Sequence, residues 1–168
     1  MSKNTETSND LSKLVQQLAD DDAAIREKSR KDLVQLGDAS VTRALVVALL
    51  DPRTHFRWEA AKALQEIADP VAAPALLNAM DDEDEDVRWV ASEGLAALGK
   101  VGLLTVLSGL IQRAGSIAFC KSAHHVLHEL KLYAGTVAPV LTALEQSEPA
   151  VSAPPAAYEA LQALHDEV

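Results

Sequence analysis

The chain echoes itself every 31 residues, and that period restricts its fold more than any other feature. Arg26, Arg57 and Arg88 fall on it, as do Asp20, Asp51 and Asp82. Four apolar columns keep the same phase: Ile25, Phe56, Val87; Leu33, Leu64, Leu95; Leu36, Ile67, Leu98; and Leu45, Leu76, Leu107. A small-residue column runs through Ser29, Ala60 and Ala91. Seven columns in one phase are not a coincidence of composition. A period of this length marks stacked supersecondary units, each burying its apolar face against its neighbours.

A fourth unit follows after one inserted residue, with Phe119, Ala123, Leu127 and Leu130 in the columns of Val87, Ala91, Leu95 and Leu98. A degraded fifth holds Val137, Pro139, Leu141 and Leu144, then Leu161 and Leu164. Such an atypical unit suits a cap, whose outer face pairs with nothing. Each unit reads as two helices, because apolar positions such as 56, 60, 63, 64 and 67 recur at helical spacing. Breaks fall at Gly37-Asp38, Asp69-Pro70 and Gly99, where Gly ends one helix and Asp caps the next. Ten helices are predicted, at about 10–19, 23–36, 39–50, 53–68, 70–80, 83–98, 101–113, 116–132, 135–146 and 154–166. No segment alternates at period two, so no sheet is expected. The expected fold is an all-α, right-handed α-solenoid (an α-α superhelix) of about five hairpins. Its units lie at about 10–37, 38–68, 69–99, 100–132 and 133–168, behind a frayed polar tail at 1–9.

Charge and cysteine count narrow the function. The 168 residues carry 25 acidic and 15 basic side chains, a net charge of -10. Binding to a phosphate backbone needs clustered Lys and Arg. Residues 1–98 carry -8 and 141–168 carry -5, and 99–140 alone is basic, at +3; nucleic acid is therefore not an expected partner. One cysteine, Cys120, excludes an internal disulfide. The polar start does not read as a secretory signal, and no apolar run could span a bilayer. A cytoplasmic location without membrane contact is expected.

The pattern of Asp51, Phe56-Arg57, Ala60-Ala61, Leu64 and Ile67, with Asp82, Val87-Arg88, Ala91, Leu95 and Leu98, resembles the HEAT repeat. It is most similar to the short HEAT-like variety of phycobilisome lyase subunits. The likeness covers about residues 11–146 and is strongest over 20–111. It implies a ladder between neighbouring repeats formed by Arg26, Arg57 and Arg88 with Asp20, Asp51 and Asp82. It also implies that the second helices line the concave face. Cys120 stands where a fourth Arg would be, so the ladder should end there.

Helical geometry turns Trp58, Lys62 and Gln65 away from the buried stripe of their helix. The next unit places Trp89, Glu93 and Ala96 there; the first gives Glu27, Lys31 and Val34, and the fourth Lys121, His125 and His128. Both tryptophans of the chain thus share one outward column on adjacent repeats. Packed helices lie about 8–10 Å apart, so two indoles can form one patch, and Trp is enriched at binding hot spots. The plain alternative is that each indole lies over the stem of a neighbouring Lys or Arg.

Other clusters read as structural. The run Asp81 to Asp86 lacks the Gly and the later Glu of a calcium loop and is expected to cap a helix, as is Asp20-Asp21-Asp22. Cys120, His124 and His128 share a helix stripe, but three ligands on one straight helix rarely converge on one metal. No metal or cofactor is expected. Deoxyhypusine hydroxylase, also built of HEAT-like repeats, holds iron with His-Glu pairs where this chain has Trp58-Glu59 and Trp89-Val90. A HEAT-like DNA glycosylase would need a basic concave surface. No catalytic motif is recognised. The expected function is a noncatalytic scaffold that binds a protein or peptide on its concave face. Trp58 and Trp89 would be the anchors, with Glu27, Lys31, Lys62, Glu93, Lys121, His125 and His128 setting charge complementarity. The resemblance supports a second possibility, a phycobilin lyase-like helper of chromophore attachment or detachment.

Overall fold

The structure is a computed structural model that describes residues 3–166. Ten α-helices follow in order: α1 (Lys3–Gln17), α2 (Ala23–Leu36), α3 (Ala39–Ala48), α4 (Thr54–Ile67), α5 (Ala73–Ala79), α6 (Glu85–Ala97), α7 (Lys100–Arg113), α8 (Ile117–Glu129), α9 (Ala134–Leu144) and α10 (Pro149–Asp166). Short 3-10 turns at Pro70–Ala72 and Lys131–Tyr133 lead into α5 and α9. No strand occurs among the described residues, and the fold is an α-solenoid. No described helix is long and apolar enough to cross a membrane.

Two helix starts differ from the sequence reading. Helix α1 begins at Lys3 rather than at residue 10, so most of the expected tail is helical; residues 1 and 2 lie outside the described residues. Adding a residue to an existing helix is easy compared with nucleating one, so polar residues can extend a helix whose later turns are packed. Helix α10 begins at Pro149 rather than 154 and carries Pro154 and Pro155 inside.

Local chemistry sets the remaining boundaries. Asp22, Asp38 and Asp84 sit in extended backbone at the starts of α2, α3 and α6, and each accepts N–H bonds from the first turn. Ser116 does the same for α8, accepting from Phe119 N at 3.2 Å. These groups satisfy donors that have no partner inside the helix. Helix α2 ends at Gly37, whose φ of 53° is left-handed; α4 ends at Ala68 with φ 52°. The second site is costly for a residue with a Cβ.

The helices form two layers. The second helices α2, α4, α6 and α8 pack side by side in chain order, and α3, α5 and α7 pair with them from behind. Between the layers, Leu33, Leu64, Leu95 and Leu127, with Leu45, Leu76 and Leu107, are fully or almost fully buried. Each buried Leu contributes about 1.5–3 kcal/mol of transfer free energy. The first unit departs from its columns: Ile25 and Leu36 are exposed, since no earlier repeat covers them. The fifth hairpin departs further. Helix α9 packs on α8, while α10 packs on α7 and α9 rather than continuing the second-helix layer. Its buried stripe of Ala153, Ala157, Ala160 and Leu164 is small enough to lie close against α7.

The Arg and Asp columns act mainly within their own loops. Asp20, Asp51 and Asp82 each accept the backbone N–H two residues on, at 2.9 Å. Arg26, Arg57 and Arg88 each donate from Nη1 to the carbonyl six residues back, at 2.8, 3.0 and 2.8 Å. Cys120 keeps this geometry without the charge: its thiol donates to the carbonyl of Ala114 at 3.3 Å. A rung of the expected ladder forms between Arg57 and Asp82, where Nε and Nη2 reach both carboxylate oxygens at 2.8 and 2.9 Å. Arg26 has no such bond to Asp51. The Asp51 carboxylate is held by Arg53, at 2.8 and 2.9 Å, and Arg26 faces Glu59 at 3.4 Å. One repeat on, the Asp position is taken by Ala114, whose carbonyl Cys120 holds, so Arg88 has no carboxylate to form a rung with.

Candidate functional site

The open side of the second-helix layer carries the outward column. Trp58 and Trp89 are the fifth residues of α4 and α6, and the two helices bring them to one groove. The groove encloses about 480 Å³ and is lined by both indoles with Lys62, Gln65, Asp86, Val90 and Glu93. Trp89 is 55% exposed, whereas Trp58 is half-buried. The space continues past Trp58 and Asp86 into a hollow of about 460 Å³ bordered by Arg26, His55, Glu59 and Asp84. On the other side of Trp89 lies a smaller hollow of about 270 Å³, bordered by Arg88, Lys121, Ser122 and His125. The two indoles therefore divide a channel of three adjoining hollows, lined by residues of four repeat units.

Neighbouring side chains fix the groove walls. The His125 ring stacks on Trp89 with centroids 4.1 Å apart and planes at 29°. Its Nε2 lies 2.5 Å from Glu93 Oε1, so a residue of α6 orients a ring of α8. Helix α8 lies on one side of α6 and α4 on the other. His125 thus covers the α8-facing side of the indole and leaves the other to the groove. Lys62 donates to Gln65 Oε1 at 2.8 Å, which ties its ammonium to the carboxyl-terminal end of α4.

The remaining column members lie apart. Glu27 and Lys31 pair with each other at 2.6 Å on the exposed face of α2, and the pair lowers the Glu27 carboxyl below its usual range. Lys121 is exposed at the rim of the smallest hollow. His128 lies beyond the channel, with its ring beside that of His124 at 6.4 Å and its Nδ1 3.6 Å from Glu129. His124 points instead to Glu145, at 3.2 Å. Cys120 is buried, and burial first, then the charge of Asp81, pushes its thiol above the usual range. A protonated, enclosed thiol is a poor nucleophile and a poor metal ligand. Among the described residues, no three His, Cys, Asp or Glu side chains gather so as to hold a metal ion.

The acidic run divides its labour. Asp84 caps α6, Asp82 holds Arg57, and Asp86 lines the groove. Reading the run as caps alone missed Asp86, although it lies three residues before Trp89, hence on the same helix face. Sequence reasoning also missed the ion cluster at the Arg26 end of the channel. There Glu59 accepts from Arg30 Nε at 3.1 Å, and Arg30 also binds Glu66. A Glu adjacent to an outward Trp gives no sign in sequence that it is buried.

Searched against curated proteins, the chain has no match. Among solved structures it is similar to a chain of the complex of CpcE and CpcF of phycocyanin lyase from Nostoc sp. PCC7120. The two are 21% identical with a TM-score of 0.55, over 94% of this chain and 67% of that one. A looser match is an engineered protein, 19% identical with a TM-score of 0.40, over 90% of this chain and 77% of that one. Residues 11–96, more than half of the chain, match the family of HEAT repeats. With its stacked helical hairpins and in-phase Arg and Asp columns, the chain belongs to the HEAT-repeat family.

Proposed function

We propose that the protein is a noncatalytic scaffold that binds a protein or peptide along the open face of its second helices. The observation that carries this reading is the meeting of Trp58 and Trp89 in one groove of about 480 Å³. Large, rigid aromatic side chains in a partly desolvated groove are typical anchors, while charged rims tune association rate and choice of partner. Lys62 and Glu93 line that groove, Lys121 and His125 line the adjoining hollow beside Trp89, and His128 lies outside both. The test uses a partner recovered from the source cell and the double variant Trp58→Ala/Trp89→Ala. Helicity should be unchanged while affinity falls by at least about 30-fold, as expected for the loss of a hot spot. Equal affinity of variant and wild type removes the reading.

A second reading is a phycobilin lyase-like helper. It is supported by the similarity in fold to a chain of a phycocyanin lyase complex and by the stacked Trp89 and His125 with Glu93 alongside. Mixing the protein with a free bilin and recording the visible spectrum separates the two. A shifted, intensified band lost in Trp89→Ala favours the helper; an unchanged spectrum disfavours it.

A further inference from the structure

Taking the partner-binding reading as its basis, we infer that the groove between Trp58 and Trp89 recognises a cationic side chain, an Arg or Lys carried by an extended basic peptide. Indole faces attract a cation within about 6 Å through the ring quadrupole. Two indoles border this groove, and His125 covers only one side of Trp89. Between them lies Asp86, which borders both the central groove and the hollow beyond Trp58. Its carboxylate makes no ion pair among the described residues.

The cations already present do not fill this role. Lys62, one turn along α4 from Trp58, is tied to Gln65. Arg26 is spent on Glu59 and on the carbonyls of Asp20 and Asp21. Arg88 is spent on the carbonyls of Asp82 and Glu83. Charge in the channel is therefore polarised along the helices. The end near the start of α6 holds Asp84, Glu85 and Asp86; the other end holds Lys62 and the His125-bound Glu93. The partial positive charge at the start of a helix is about half a unit, less than the three carboxylates of that segment. A visiting guanidinium or ammonium would enter at the acidic end, lie against the indoles and pair with Asp86. The overall charge of -10 would also steer a basic peptide toward the protein.

The test follows the two indole N–H resonances of the full chain by NMR during titration with three heptapeptides of Gly and Ser. The peptides carry three Arg, three Glu or three Leu. Expected are shifts of both indole signals with the Arg peptide alone. Affinity should fall about two- to fivefold in Asp86→Asn and about tenfold in Trp58→Ala/Trp89→Ala, the range of one exposed ion pair and of two cation–π contacts. Raising the salt concentration should weaken the Arg peptide further. Equal or larger indole shifts with the Leu or Glu peptide would overturn the cation inference while leaving a docking groove. An Arg peptide that moves neither indole, or binds Asp86→Asn as well as wild type, also overturns it. In those cases the scaffold reading still stands or falls by the double variant and its recovered partner.

Discussion

Helix α4 meets a second helix on each flank, and the two contacts are built from different materials. Toward α6 the helices approach through small residues. Ala60, Ala61 and Ala91 are completely buried, and a methyl added to Gly94 would lie 3.7 Å from the Gln65 backbone and 3.1 Å from Leu76 Cδ1. The polar contribution there is the Arg57–Asp82 rung at the helix starts. Toward α2 the gap is spanned by long charged side chains, with Glu59 facing Arg26 and Arg30, and Arg30 also reaching Glu66. The repeat explains the contrast. One period on, Glu59 becomes Val90 and Arg30 becomes Ala61. The same backbone stack thus accepts either an ion cluster or close apolar packing. Repeat identity resides in the buried Leu and Ala stripes, and each junction is settled locally, as nearest-neighbour stability in a solenoid allows.

The largest effect should come from breaking the rung. Arg57→Ala strands the Asp82 carboxylate in a site where both side chains are at most 10% exposed. Removing one partner of such a pair costs about 3–5 kcal/mol. For a chain of this size that lowers the melting temperature by roughly 6–15 °C. Arg88→Ala is the control, because Arg88 holds the same two loop carbonyls but has no rung. It should cost about 1 kcal/mol, the worth of ordinary hydrogen bonds. Equal losses in urea melts of the two variants would mean that the rung contributes nothing.

The ion cluster should fail and recover. Glu59→Val removes the carboxylate shared by Arg26 and Arg30, 20% and 11% exposed, and leaves Arg30 to Glu66 alone, at a cost of about 2 kcal/mol. The double change Arg30→Ala/Glu59→Val writes the α4/α6 chemistry into the α2/α4 junction. It should regain all but about 1 kcal/mol, since buried ion pairs add little over well-packed apolar groups. Additive losses in the double variant would show that the two junctions are not interchangeable.

The recurring stripes were legible in the sequence because apolar residues at helical spacing have one physical outlet, burial against a neighbour. The outward tryptophan column was legible for the same geometric reason. Glu59 was not, since a charge buried among arginines has the same letter as one in water. The side on which α10 packs was hidden too. Ala153, Ala157 and Ala160 define a face but not the helix it meets. Asp86 was masked by its neighbours, three of which cap or brace the start of α6.

Helix ends offer a smaller test of the same comparison. Ala68 closes α4 in the left-handed region that Gly37 occupies at the end of α2. Ala68→Gly should stabilise by about 1 kcal/mol, the usual penalty for a Cβ in that conformation. A loss of stability on thermal melting would mean that the Ala68 methyl makes contacts worth more than the strain.

The smallest effect addresses why α2 and α4 lack a rung. Arg53 holds the Asp51 carboxyl down to about 2, chiefly through its side-chain hydrogen bond. The folded value lies below the unfolded one, about 3.9. The associated stability is therefore complete above pH about 4 and is lost as pH falls toward about 2. A carbon-detected NMR titration should find Asp51 still ionised at pH about 3, where an ordinary carboxyl is mostly protonated. In Arg53→Ala the carboxylate is free to accept Arg26. Arg26, however, faces Glu59, whose side chain is 8% exposed, and Glu59 loses more by giving up a cation than the more exposed Asp51 gains. The Asp51 carboxyl should accordingly rise most of the way to the ordinary range, with the backbone N–H of residue 53 still holding it slightly down. If it stays low, Arg26 has crossed to it, and competition from Arg53, rather than the pull of Glu59, is what keeps the second rung from forming.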